Sequence, residues 1–149
     1  LGWIVSNINS NFALFKDNGV RYISKVVLAV RPNSKDIKKL IDTTANLCRF
    51  YKANFTLLHV LPKGKTRNDL KKITEKSNAL LDRNMDIASL RIENSEDPTE
   101  LVSELTSEYD LLVLGTPKKD TWKRMLFGTG KDKFAVNSSC SVLRLTINK

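Results

Sequence analysis

The chain is 149 residues long and carries a formal net charge of +9 at pH 7. This length suits one domain, with room for only a fragment of a second. It holds no apolar run near the roughly 20 residues of a membrane-spanning helix, and its start, "LGWIVSNINSN", lacks the basic flank and apolar core of a secretory signal.

After an opening segment, "SKVVLAV" reads as a first strand ending at Val30. In "NSKDIKKLIDTTANLCRFYK" the residues Ile37, Leu40, Ile41, Leu47, Cys48 and Tyr51 recur at helical spacing, with Asn33 or Ser34 as N-cap. A second strand, Phe55 to Leu61, ends where Pro62 and Gly64 break the chain. A thin apolar stripe predicts a second helix from about Asn68 to Asp82, and "DIASLRI" a third strand from Asp86 to Ile92. Asp97 caps a third helix, with Pro98 at its first position. "DLLVLG", Asp110 to Gly115, is the fourth strand. A long loop runs through Gly130, a short helix spans about Lys131 to Asn137, and "SVLRLTI" is the fifth strand.

Strands alternating with helices predict an α/β fold with a parallel sheet covered on both faces. "VVLAV", "TLLHVL" and "LLVLG" are nearly continuous apolar runs, the texture of central parallel strands. "IASLRI" and "VLRLTI" alternate more, as edge strands do. A doubly wound, open five-stranded sheet of order 3-2-1-4-5, with helices on both faces, satisfies both observations. The fifth strand is then an edge, available to pair with its mate in a homodimer or to be capped by "FALF", Phe12 to Phe15.

Cys48 and Cys140 sit among apolar or small residues and outside any C-x-x-C pair, so buried free thiols are expected. His59 is the lone histidine, and no metal cluster is expected. It lies near the carboxyl end of the second strand, where its ring is either satisfied within the protein or turned to a ligand. No partnered nucleophile or paired carboxylate stands out, so the chain is not expected to be an enzyme.

One feature is internal. "GWIVSNINSNFALFK" from Gly2 aligns without gaps on "GKDKFAVNSSCSVLR" from Gly130, so that Asn9 meets Asn137 and Leu14 meets Val142. The domain division expected is therefore a segment 1–20 and an α/β domain 21–149. The segment is either the last helix and strand of a preceding copy or a connecting arm. The start at Leu1 rather than a methionine fits a longer parent chain.

"LFGTGKDKF", Leu126 to Phe134, has the composition of a phosphate cradle, in which Gly128, Thr129 and Gly130 let backbone and ligand approach closely. The alternative is a plain turn. It is not a Walker A loop, since Met125 and Asp132 occupy positions where that motif needs Gly and Ser or Thr. The preceding stretch is strongly basic, suited to an anion, to acidic lipid, or simply to water. Charge alone points to nucleic acid, but no recognised motif accompanies it and few aromatics are available for stacking, so nucleic acid is not expected.

Taken in order, "SKVVLAVRPNS", "TLLHVLP", "YDLLVLGTPKKDTWKRMLFGTG" and "NSSCSVLRL" resemble the universal stress protein domain over about Val20 to Ile147. Nucleotide-binding members of that family carry Gly, two residues, Gly, nine residues, then Gly with Ser or Thr. Here Gly115 and Thr116 lead to Lys118 in place of the second glycine, and Gly128 and Thr129 follow at the family's spacing. Arg31, after Val30, stands where those members place an aspartate beside the ribose. The resemblance implies a candidate nucleotide or anion site of Val30, Arg31, His59, Gly115, Thr116, Lys118, Gly128, Thr129 and Gly130, with ATP or AMP as ligand. Arg31 and Lys118 mark it as degenerate. The resemblance also implies a non-catalytic regulatory or assembly domain in the cytoplasm. Such domains occur in tandem and as the cytosolic part of membrane transporters, at the cytoplasmic face of the membrane. The alternative is a stress protein that binds ATP or AMP with weak or no ATPase activity.

Overall fold

The computed structural model describes residues 10–115 and 138–147. In chain order these form β1 (Phe12–Lys16), β2 (Lys25–Ala29), α1 (Ile37–Tyr51), β3 (Asn54–Leu61), α2 (Arg67–Leu81), β4 (Ala88–Asn94), α3 (Pro98–Leu105), β5 (Leu111–Gly115) and β6 (Ser141–Thr146). Short 3-10 turns follow α2 and α3. The short helix expected at 131–137 lies outside the described residues.

The strands make one six-stranded sheet of order β1-β6-β5-β2-β3-β4. From β6 to β4 every pairing is parallel. These are the five expected strands, in the order expected. The sixth is β1, antiparallel on the outer side of β6 with Phe12 opposite Thr146 and Phe15 opposite Leu143. Of the two uses expected for the fifth strand's edge, capping by "FALF" is the one observed, and it raises the strand count from the expected five to six. The "FALF" segment supplies the backbone partners that an edge strand otherwise offers to another chain. A homodimer through that edge of β6 would have to displace β1. The register has a further property. The internal alignment equates Phe15 with Leu143, and these two residues face each other, as a two-fold axis between like strands demands.

Side-chain alternation along β2 explains the two cores. Val26 and Leu28 point to one face, where Leu40, Ile41, Ala45 and Cys48 of α1 and Leu81 of α2 close over them. Val27 points to the other, against Val102 and Leu105 of α3 with Leu58, Leu112 and Leu114. Each such buried Leu or Ile contributes roughly 1.5–3 kcal/mol of hydrophobic stabilisation.

Caps set the helix limits. Thr66 and Asp69 form a reciprocal capping box at the start of α2. Asp97 accepts from the Glu100 N–H at 3.0 Å, with Pro98 opening α3 as expected. α1 differs from expectation. It starts at Ile37, after Asp36, because Asn33 and Ser34 are taken up by a turn in which Ser34 N–H donates to the Arg31 carbonyl and Ile37 N–H to the Ser34 carbonyl. The third strand starts at Ala88 rather than Asp86, whose carboxylate meets Arg49 at 3.3 Å instead.

At the amino ends of the strands, the Asp110 carboxylate accepts from Ser24 N–H, Ser24 Oγ and Lys25 N–H within 2.9 Å, stapling β2 to β5. Partial burial works against its charge, but these bonds prevail and hold the carboxyl below its ordinary range. In the connection from β1 to β2, Gly19 has φ +84, a left-handed turn that glycine adopts without strain. Asn18 donates to the carbonyls of Ser138 and Cys140, fixing this connection to the start of β6.

Both cysteines are buried free thiols. Burial pushes each thiol up to about 11, so neither forms a thiolate near neutrality. The folded protein is therefore expected to resist a disulfide reagent such as dithionitrobenzoate. Both thiols should react once urea unfolds the chain, and rapid labelling of either in the native state would contradict this packing.

Candidate functional site

The chain winds away from β2 in two directions. The connection from β2 leads through α1 to β3 on one side, while β5 lies on the other side and leads outward to β6. Open α/β sheets bind ligands where the winding reverses, outside the carboxyl ends of the strands. Here that point lies between β2 and β5. The register pairs Ala29 with Leu114, so Val30 and Gly115 emerge side by side.

Gly115 has a packing reason to be glycine. A Cβ there would come within 3.1 Å of a Leu40 methyl, closer than ordinary contact. Leu40 of α1 thus packs directly against Gly115. Because the obstacle is the end of a side chain, Gly115→Ala is expected to cost about 1 kcal/mol in urea denaturation. A loss above about 3 kcal/mol would show that the neighbour cannot yield.

Val30 is held from two directions. Its N–H donates to the Leu58 carbonyl at 3.2 Å, and its carbonyl accepts from His59 Nδ1 at 2.7 Å. Since a carbonyl only accepts, Nδ1 carries the proton and Nε2 accepts from Ser77 Oγ of α2 at 3.0 Å. His59 is fully buried. It is a strut joining α2, β3 and the end of β2, and both ring nitrogens are engaged within the protein. Of the two readings of His59, the geometry is that of the satisfied ring. Ser77, which completes the strut, had no sequence signal beyond its place on the inner side of a weak helical stripe.

Burial lowers the His59 imidazole below its ordinary 6.5, and the Val30 carbonyl only partly opposes this. The folded state therefore binds fewer protons than the unfolded state as pH falls below 6.5, and stability declines in that window. His59→Gln is expected to be about 1–3 kcal/mol less stable above pH 7. Its deficit relative to the parent should shrink on acidification. A deficit that is constant with pH would contradict a buried neutral imidazole.

Arg31 follows Val30 and is exposed, its carbonyl closing the turn to Ser34. The structure brings Val30, Arg31 and Gly115 together and sets His59 behind Val30. Thr116, Lys118, Gly128, Thr129 and Gly130 lie outside the described residues. Among the described residues, no group of His, Cys, Asp and Glu is arranged to hold a metal ion.

Solved structures of the same architecture decide the fold. An Archaeoglobus fulgidus universal stress protein in complex with dAMP matches with TM-score 0.61 and 15% identity, over 82% of this chain and 97% of its own. A universal stress protein in complex with cAMP matches with TM-score 0.62 and 19% identity, over 85% of this chain and 98% of its own.

The chain has the universal stress protein fold.

A further universal stress protein, from Archaeoglobus fulgidus DSM 4304, matches with TM-score 0.65 and 16% identity, over 99% of this chain but 54% of its own. No protein-family model matches the sequence, and no curated protein does.

Proposed function

We propose that this chain is a non-catalytic regulatory domain of the universal stress protein type whose crevice takes an adenine nucleotide such as AMP or ATP. The observation that carries this reading is the side-by-side emergence of Val30 and Gly115 at the point where the winding reverses, with Leu40 packed against Gly115. The cAMP and dAMP in solved structures of the same fold support the ligand class. Gly128, Thr129 and Gly130, at the family's spacing from Gly115, are residue types that hold phosphates through backbone N–H groups. Binding without turnover is supported by His59, the lone imidazole, which is committed to Val30 and Ser77 rather than to the crevice.

Arg31 favours a second reading, in which the domain serves regulation and assembly and the degenerate crevice takes a smaller anion. A guanidinium has no lone pair to accept hydrogen bonds from ribose hydroxyls. The β1–β6 register supports an assembly role, because it pairs two strands that the internal alignment makes equivalent. Under this reading residues 1–20 are the last helix and strand of a preceding like unit. The match that extends over 99% of this chain, against a structure about twice its length, is consistent with that. A cytoplasmic place within a larger transporter chain is the setting implied by the resemblance. Among the described residues no helix is long and apolar enough to cross a membrane.

Calorimetric titration with AMP and ATP separates the two readings. Heat of binding is expected for the parent, and Arg31→Asp should tighten AMP about tenfold by restoring a charged acceptor. If neither protein gives heat at high micromolar nucleotide, the nucleotide reading is lost and assembly remains.

A further inference from the structure

We propose that the outer face formed by α1, α2 and the loops at their amino ends docks onto an anionic lipid surface. Residues 31–76 carry twelve Lys or Arg against four Asp or Glu, whereas residues 77–115 carry two against nine. The sheet keeps much of these populations apart, although Asp86 meets Arg49 of α1 at 3.3 Å. α1 and α2 pack together over one face, around Val26, Leu28 and Phe55. The other face is covered by α3, where Glu96, Asp97, Glu100, Glu104 and Glu108 are exposed.

On the basic side, Lys38, Lys39, Lys71, Lys72 and Lys76 are all exposed. Lys63, Lys65 and Arg67 extend the same sign through the loop that opens α2. The acids among them are partly committed elsewhere. Asp69 is held by Thr66 in the capping box, and Glu75 lies 3.9 Å from Lys71. Lys76 reaches Asn33 at 3.4 Å, which ties α2 to the loop after β2 and keeps the two helices in one surface.

The occupant is a lipid surface for three reasons. The cations spread across the outer sides of two adjacent helices rather than line a groove that would follow a nucleic acid backbone. The outward stripe of α1 runs Lys39, Thr43, Asn46 and then Phe50, whose ring is 80% exposed and touches only the edge of Tyr51 among described rings. A basic face ending in an exposed aromatic suits the headgroup region of a bilayer. Finally, among the described residues the α3 side is acidic, so that an anionic plane attracts the α1–α2 face more than the α3 face. This inference is independent of the crevice and of any nucleotide.

The test is co-sedimentation of the whole chain with phosphatidylcholine vesicles and with vesicles that also contain phosphatidylserine. Binding is expected only to the second and should weaken with added salt. The triple variant Lys39→Glu, Lys72→Glu, Lys76→Glu is expected to lose at least about a hundredfold in partitioning, since each basic residue near an anionic leaflet contributes about fivefold. A variant of equal net charge, Arg21→Glu, Lys25→Glu, Arg83→Glu, should bind nearly as the parent does, and Phe50→Ser severalfold less. Circular dichroism confirms that each variant is folded, and the charge-matched pair keeps the comparison decisive. Equal losses in both triple variants would overturn the proposal in favour of bulk charge. Binding to neutral vesicles, or to duplex DNA as tightly as to the anionic vesicles at the same salt, would also overturn it.

Discussion

Double-sided burial of β2 is the constraint on which the rest of the molecule depends. The strand is five residues long, yet Val26 and Leu28 root one core and Val27 the other. A strand buried on both faces must satisfy its backbone sideways, and β3 and β5 do so in parallel register. Once β2 has a parallel neighbour on each side, the chain winds away from it both ways, and its carboxyl end becomes the place where such sheets bind ligands. The Asp110 staple at the amino end and the His59 strut at the carboxyl end fix its two limits. The place where a ligand can sit and the place where the hydrophobic cores meet are therefore two ends of one strand.

Much of this was legible in the sequence. Continuous apolar runs such as "VVLAV" and "LLVLG" mark strands buried on both faces, and their contrast with "IASLRI" gives the order of the five parallel strands. Pro98 after Asp97 marked a helix start because its chemistry is local. What was not legible depends on contacts across the fold. The choice between capping β6 and leaving it open turns on whether Asn18 meets the carbonyls of Ser138 and Cys140, more than a hundred residues away. Asn33 and Ser34 look like N-caps by type, but the turn beyond Arg31 takes them first. Composition placed His59 at a strand end, while only the fold could supply Ser77 and Val30 as its partners. Gly115 shows the two levels combined. The resemblance implied a ligand-side glycine, and the structure adds the Leu40 methyl that gives it a packing role.

The same winding that makes the crevice also sorts charge. Consecutive segments of an α/β chain fall on one face and then, past the reversal, on the other. Among the described residues, a sequence that is basic over residues 31–76 and acidic over residues 77–115 thereby places a basic α1–α2 face opposite an acidic α3 face. The net charge of +9 does not report that separation, since these two segments together contribute only +1.

The pairing of Phe12 with Thr146 has a mechanical consequence. It brings the start of β1 and the end of β6 to one corner of the sheet, so tension between those points opens the hydrogen bonds pair by pair. The parallel strands inside are not loaded until β1 has come away. A tug on this corner is thus absorbed first by an outer strand that peels at low force, while the cores on either side of β2 stay closed.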